Sequence, residues 1–357
     1  MATIRDVAKL ANVSISTVSR VINGSKQVSP QLRAKVERAI DTLGFTTNRL
    51  ASGLKSAQSN CIGVILPALS RIFFTSVLEG ISQTARRYGY SVQISESNDS
   101  LETEESLVRY YASQWVDGII LASVAFDSNP HSKAYCDYLG NLEKNGKPIP
   151  VVTLEYPCLN PLVDSVVVDH FQAACNAVDH LIALGRSNLL HISIPSFTHC
   201  GQQRLAGYSQ ALEQHHIPFR PELVFEGDYT PSSGFHAVAS LISQGIPFDG
   251  IFAANDQMAV GALMACKQYG RSVPDQVAII GNDNIFVTTI VSPTLSSISV
   301  PRYEMGATAM ELLHSNLVRG ARKKTGEVIT LETTLIPRQS SLPGQRYGIN
   351  DLKTSSW

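Results

Sequence analysis

At 357 residues the chain exceeds one ordinary domain, and 44% hydrophobic with 17% charged residues excludes a largely disordered polymer, while no apolar run approaches the ~20 residues of a membrane span. The net charge of -1 excludes a uniformly basic nucleic-acid binder, yet residues 1 to 60 hold nine Lys/Arg against three acids, so a head of net charge +6 is joined to a body of net charge -7. Six scattered cysteines (61, 136, 158, 175, 200 and 266) lack Cys-x-x-Cys spacing, which argues against a zinc cluster or disulfide framework and for buried thiols. The start MATIRDVAKLANVS lacks the apolar block of a secretory signal, so a cytoplasmic location is expected, with no membrane partner.

In chain order, Thr3 and Asp6 are expected to cap a first helix whose Ile4, Val7, Ala8 and Ala11 share one face. Asn12 and Val13 make a turn, and Ser14 caps a second helix from Ile15 to Asn23 with Val18, Val21 and Ile22 inward and Ile15, Ser16, Ser19, Arg20 and Asn23 outward. Ser29 and Pro30 open a third helix that turns Leu32, Val36, Ile40 and Leu43 inward and stops at Gly44. Two helices joined by so short a turn match the DNA-reading helix-turn-helix, in which the second helix enters the major groove. Arg20 suits a bidentate contact to guanine, and Ser16 and Thr17 suit base edges or phosphates. A plain helical bundle with solvated polar residues is the structural alternative.

From Cys61 onward, short apolar runs alternate with helical periods, the pattern of doubly wound parallel sheets. Strands are predicted at 62–66, 92–95, 118–121, 151–154, 166–168, 189–194, 223–226, 250–253 and 277–280. The echo between VDGIILAS (116–123) and FDGIFAAN (248–255) suggests two similar lobes with a ligand held between their C-terminal strand ends. No dinucleotide, P-loop, nucleophile-elbow or zinc-protease string occurs, so no enzyme, cofactor, catalytic residue or metal site is expected. The alternative is a sugar-binding protein or an enzyme on the same two-lobed scaffold.

The run TIRDVAKLANVSISTVSRVING, followed by SPQLRAKVERAIDTLGF, resembles the lactose-repressor (LacI/GalR) family of bacterial transcription regulators without gaps, and TNRLASGLK resembles that family's hinge segment. The likeness continues through IGVILPALSRIFF, RLAGYSQAL, AANDQMAVGAL and IIGNDN. It implies a small all-α helix-turn-helix domain joined to a periplasmic-binding-protein-like (type I) α/β body of two lobes with three crossovers. The boundaries expected are 1–46 for the head, 47–60 for the hinge helix and linker, 61–340 for the effector and dimerisation domain, and 341–357 for a tail. Within the body, one lobe takes about 61–162 and 298–326, the other about 163–297 and 327–340.

The resemblance implies a homodimeric repressor on palindromic operator DNA, governed by a sugar-like effector. It implies DNA contacts from Ser14, Ile15, Ser16, Thr17, Arg20 and Asn23, and from Asn48, Ala51, Leu54 and Lys55 in the hinge, with Leu54 wedged into the minor groove. It places Phe73, Phe74, Ser123 and Tyr156 in one pocket wall and Arg204, Tyr229, Asn255 and Asp283 in the other. For Phe73 and Phe74 simple core packing is the alternative. Thr47 stands where the family usually has proline, so the hinge helix either melts more easily or takes Thr47 as its cap; Asn282 stands where the family has an aromatic, and Ala68, Arg71 and Ile72 depart from its loop, so the effector stays open. Arg71 at the mouth is compatible with an anionic ligand and equally with plain solvation.

Overall fold

The computed structural model describes residues 2–22, 28–45, 59–114, 116–124, 130–158, 160–321 and 325–342. Two compact units divide the chain, Met1–Ser59 and Asn60–Trp357.

In the first unit lie α1 (Ile4–Ala11), α2 (Ile15–Ile22) and α3 (Pro30–Leu43). A capping box between Thr3 and Asp6 starts α1, and Asn12 ends it in a left-handed turn at φ 52°. The Thr17 amide donates to the Ser14 hydroxyl at 3.2 Å to start α2, and Ser29 with Pro30 starts α3. Val7, Ala8, Ala11, Val18, Val21, Val36 and Ala39 form the buried core. Leu32, expected inward, is 38% exposed: it sits in the first turn of α3, where the helix has not yet reached the core.

In the second unit the chain runs through β1 (Cys61–Leu66), α4 (Phe73–Arg87), β2 (Ser91–Glu96), α5 (Leu101–Ser113), β3 (Gly118–Ala122), α6 (Pro130–Gly140), the hairpin β4 (Glu143–Lys144) and β5 (Lys147–Pro148), β6 (Val151–Leu154) and β7 (Asp164–Val168). It continues with α7 (His170–Ala183), β8 (Leu189–Ser193), α8 (His199–Gln214), β9 (Val224–Glu226), α9 (Pro231–Gln244), β10 (Gly250–Ala253), α10 (Asp256–Gln268), β11 (Ala278–Asp283) and α11 (Val287–Ile290). Finally come β12 (Ser296–Ser299), α12 (Arg302–Arg319), β13 (Val328–Leu331) and β14 (Thr334–Ile336).

The first lobe is a sheet of order β13-β7-β6-β3-β1-β2, parallel throughout. The second has order β14-β12-β11-β10-β8-β9, parallel except for the edge strand β14. Helices cover both faces of each sheet, which explains why the central strands are apolar without alternation. In each lobe a pair of helices crosses at glycine contact. A Cβ on Gly80 or Gly306 would strike a carbonyl of the opposite helix (α4 against α12), as would one on Gly234 or Gly261 (α9 against α10).

The lobe boundaries differ from the expected ones. β7 pairs with β6 and β13, so the first crossover follows Val168 and not residue 162. β12 belongs to the second sheet and β13 to the first, which moves the later crossovers to the segments between Ser299 and Arg302 and between Leu331 and Thr334. These short strands carry no signal of which sheet they will join; remote partners decide. Ser341, expected to open the tail, is buried and hydrogen-bonded to Ser296 at 2.7 Å. Among the described residues no helix is long and apolar enough to cross a membrane.

Candidate functional site

The exposed face of α2 presents Ile15, Ser16 and Arg20 to solvent, Ile15 at 46% exposure. Ser14 gathers the hydroxyls of Ser16 at 2.7 Å and Thr17 at 2.9 Å around the helix N-terminus, where amide dipoles favour phosphate oxygens. Asn23, Asn48, Ala51, Leu54 and Lys55 lie outside the described residues.

In the body the C-terminal strand ends of both sheets face one cleft of about 650 Å³, counting the part open to solvent. Seven of the eight expected residues line it: Phe73, Phe74 and Ser123 from the first lobe, Arg204, Tyr229, Asn255 and Asp283 from the second. Phe73 and Phe74 also pack into the first-lobe core, edge to face at 5.1 Å, so the pair lines the cleft and fills the core at once. Tyr156 is the exception. It is buried behind the wall, edge-on to His199 at 5.5 Å, and the neighbouring Glu155 takes its place in the lining. The chain leaves β6 through a left-handed Glu155, φ 63°, and this reverses which side chain faces the cleft. Tyr229 at φ 69° and Asp283 at φ 110° are further non-glycine lining residues in the left-handed region, a strain of roughly 1–3 kcal/mol each that the surrounding contacts must hold.

A buried charge network ties the walls together. Arg204 donates to the Ala254 carbonyl and to His170 Nδ1 at 3.3 Å, and reaches Asp283 at 3.9 Å. An arginine only donates, so His170 Nδ1 accepts and the ring proton sits on Nε2, which faces Glu155 Oε2 at 3.1 Å. Burial alone would raise the Glu155 carboxyl; the facing His170 and the nearby Arg204 outweigh it, and the group sits below its ordinary value. Burial pushes Asp283 up to about 6 against the pull of Arg204. Glu155, His170 and Cys200 place their donor atoms within 4.8 Å of one another, a spacing that suits a metal ion. The proton on His170 Nε2 argues against one, because the nitrogen turned to the site has no lone pair to offer.

Arg71 is the other cation. It pairs with Asp99 in its own lobe and stacks on the Tyr229 ring of the opposite lobe at 3.5 Å, while the Ile72 amide donates to Gln257 Oε1 at 3.3 Å. Asp99, Glu155, Thr198, Cys200 and Gln257 are lining residues that no sequence pattern singled out. They come from turns and helix starts, where periodicity is silent.

The profile of bacterial regulatory proteins of the lacI family matches residues 3–48, and that of the periplasmic binding protein-like domain matches residues 178–341. Catabolite control protein A of Priestia megaterium is 36% identical over 314 residues, covering 87% of this chain and 91% of that protein. The chain belongs to the lacI family. This lacI-family protein is therefore a DNA-binding transcription regulator with an effector-binding body, like the HTH-type transcriptional repressor PurR of Salmonella arizonae, which is 29% identical over 345 residues covering 96% of this chain and 98% of that one. Among solved structures, the Lac repressor dimer bound to operator and the anti-inducer ONPF superposes with a TM-score of 0.84 at 28% identity, covering 96% of this chain and 99% of that one. The transcriptional regulator CelR in complex with cellobiose gives 0.68 at 30% identity, covering 96% and 100%.

Proposed function

We propose that this regulator is a cytoplasmic, dimeric repressor that reads a palindromic operator through Ser14, Ile15, Ser16, Thr17 and Arg20 and releases or holds it according to a neutral, polyhydroxylated ligand in the interlobe cleft. One observation carries the ligand class: both cleft arginines are already committed. The terminal nitrogens of Arg204 are held by Ala254, His170 and Asp283, leaving its Nε buried without a partner among the described residues, and Arg71 is held by Asp99 and the Tyr229 face, whereas the acceptors Glu155 Oε1 and Asp99 Oδ1 are both buried with no hydrogen-bond partner among the described residues. Such a cleft is short of free donors for an anionic ligand and holds acceptors that need donors, so sugar hydroxyls fit it and a phosphate or carboxylate meets repulsion. Phe73 and Phe74 offer apolar surface to the less polar ring face.

Contacts from both lobes give a ligand more to bind in the closed cleft than in an open one, so it shifts the lobe equilibrium and with it operator affinity. Calorimetric titration of cellobiose and D-glucose against D-glucose 6-phosphate, paired with a gel shift on a palindromic site, tests this. Neutral sugars should bind and change operator affinity; tighter binding of the phosphorylated sugar would sink the ligand class, and no effect of any bound ligand on DNA would sink the coupling.

A further inference from the structure

Two contacts at the mouth of the cleft run from protein to protein across the lobes. The Arg71 guanidinium lies over the Tyr229 ring, its carbon 3.5 Å from the centroid, and the Ile72 amide donates to Gln257 Oε1 at 3.3 Å. Arg71 and Ile72 belong to the first-lobe loop between β1 and α4; Tyr229 precedes α9 and Gln257 lies in the first turn of α10, both in the second lobe. That first-lobe loop is also where the chain departs from the pattern it resembles.

Each partner of the stack is braced within its own lobe. Asn98 and Asp99, left-handed at φ 52° and 56°, turn the chain after β2, and the Asp99 carboxylate takes one edge of the Arg71 guanidinium. A guanidinium is planar, so its edge can bind a carboxylate while its face stays available to an aromatic ring. Opposite, the Asn255 side-chain amide donates to the Tyr229 carbonyl at 3.0 Å and fixes the backbone that carries the ring. The Arg71 side chain is only 14% exposed, which shields the stack from the water that would weaken it. We propose that Arg71 and Tyr229 form a latch that holds the lobes closed over the cleft and sets the rate at which a ligand enters and leaves. A ligand passes only while the stack is broken, so weakening the latch speeds entry and escape alike and leaves the affinity nearly unchanged. The consequence for a ligand rests on the reading of the cleft as an effector site; the latch itself does not.

Hydrogen exchange resolved to the Ile72 amide, in the full chain without added sugar, tests the latch. That amide stands at the start of α4, where no intrahelical acceptor reaches it, so its protection comes from Gln257 across the cleft. Tyr229→Leu should speed its exchange roughly fivefold, the loss of one shielded stack, whereas Tyr229→Phe keeps a ring face and should leave it unchanged. Arg71→Lys keeps a charge for Asp99 but loses the flat face, and should speed exchange in the same direction. No change in Arg71→Lys would make Arg71 a brace within its own lobe and overturn the latch, as would equal acceleration in Tyr229→Phe and Tyr229→Leu. Should Tyr229→Leu fail to fold, Arg71→Lys decides alone. Binding kinetics of cellobiose test the gate: in Arg71→Lys, association and dissociation should quicken by the same factor as the amide exchange. Faster dissociation with unchanged association would make Arg71 a ligand contact and overturn the gate. If cellobiose does not bind the native chain, the ligand class fails for that sugar, while the amide exchange still decides the latch.

Discussion

The head and the cleft are held by opposite kinds of interaction. In the head the organising contacts run between near neighbours in the chain: Thr3 with Asp6, Ser14 with Thr17, Ser29 with Leu32. In the cleft Arg204 bonds to residues 34 and 50 positions away, and Ile72 reaches across 185. The head's contacts are solvent-backed caps, each worth about 1 kcal/mol and replaceable by water. The cleft's are buried charges, where removing one partner strands the other without solvent. The head can therefore vary its exposed side chains without unfolding, whereas the cleft residues line the cavity and support the fold at once.

Four substitutions or conditions probe that contrast. Arg204→Ala should cost the most, roughly 3–5 kcal/mol of unfolding free energy, because Asp283 is left buried without its cation; it should also abolish the ligand response. Denaturant titration and a ligand-dependent gel shift measure both, and a near-neutral change in stability would show that the charge network is ornamental. Acid should come next. His191, buried between the Tyr208 and Phe252 rings, is lowered by burial from 6.5 to about 4. The folded state then refuses a proton that the unfolded state accepts, so stability is fully present above pH 6.5 and about 3 kcal/mol is lost as the pH falls to about 4. Unfolding curves across that window should flatten in His191→Gln, and an identical slope would assign the acid sensitivity elsewhere.

In the head the effects should be smaller. Arg20→Ala should weaken operator binding by roughly 1–3 kcal/mol and relax the preference at one base pair per half-site, with stability unchanged since the side chain is exposed. Equal loss on all DNA sequences, seen in competition gel shifts, would make it a phosphate contact instead. Ser29→Ala should lower stability by about 1 kcal/mol through loss of the cap on Leu32, and a loss several times larger would erase the contrast between local and long-range support.

The same contrast explains what could be read early. Ser14 as a cap, the outward face of α2 and the end of α3 at Gly44 follow from rules that act within a few residues. So do the buried strands β1, β3, β6 and β10, whose apolar runs need no partner to be recognised. β12, the serine-rich Ser296–Ser299, and the three-residue β14 have no such signature and were missed. At the site, the resemblance singled out Asn255 and Asp283, which line the cleft, but it pointed to Tyr156 where Glu155 does so.

The amino-acid order by itself determined the head and the two-lobed α/β body, because capping and burial periodicity are written locally, and its motifs carried the family resemblance that pointed to most of the cleft's second-lobe wall. Only the tertiary structure decided which sheet the late strands join, that Glu155 and not Tyr156 lines the cleft, and that each cleft arginine has a carboxylate partner. Each of those depends on partners far away in the chain and on a left-handed turn whose direction no periodicity encodes.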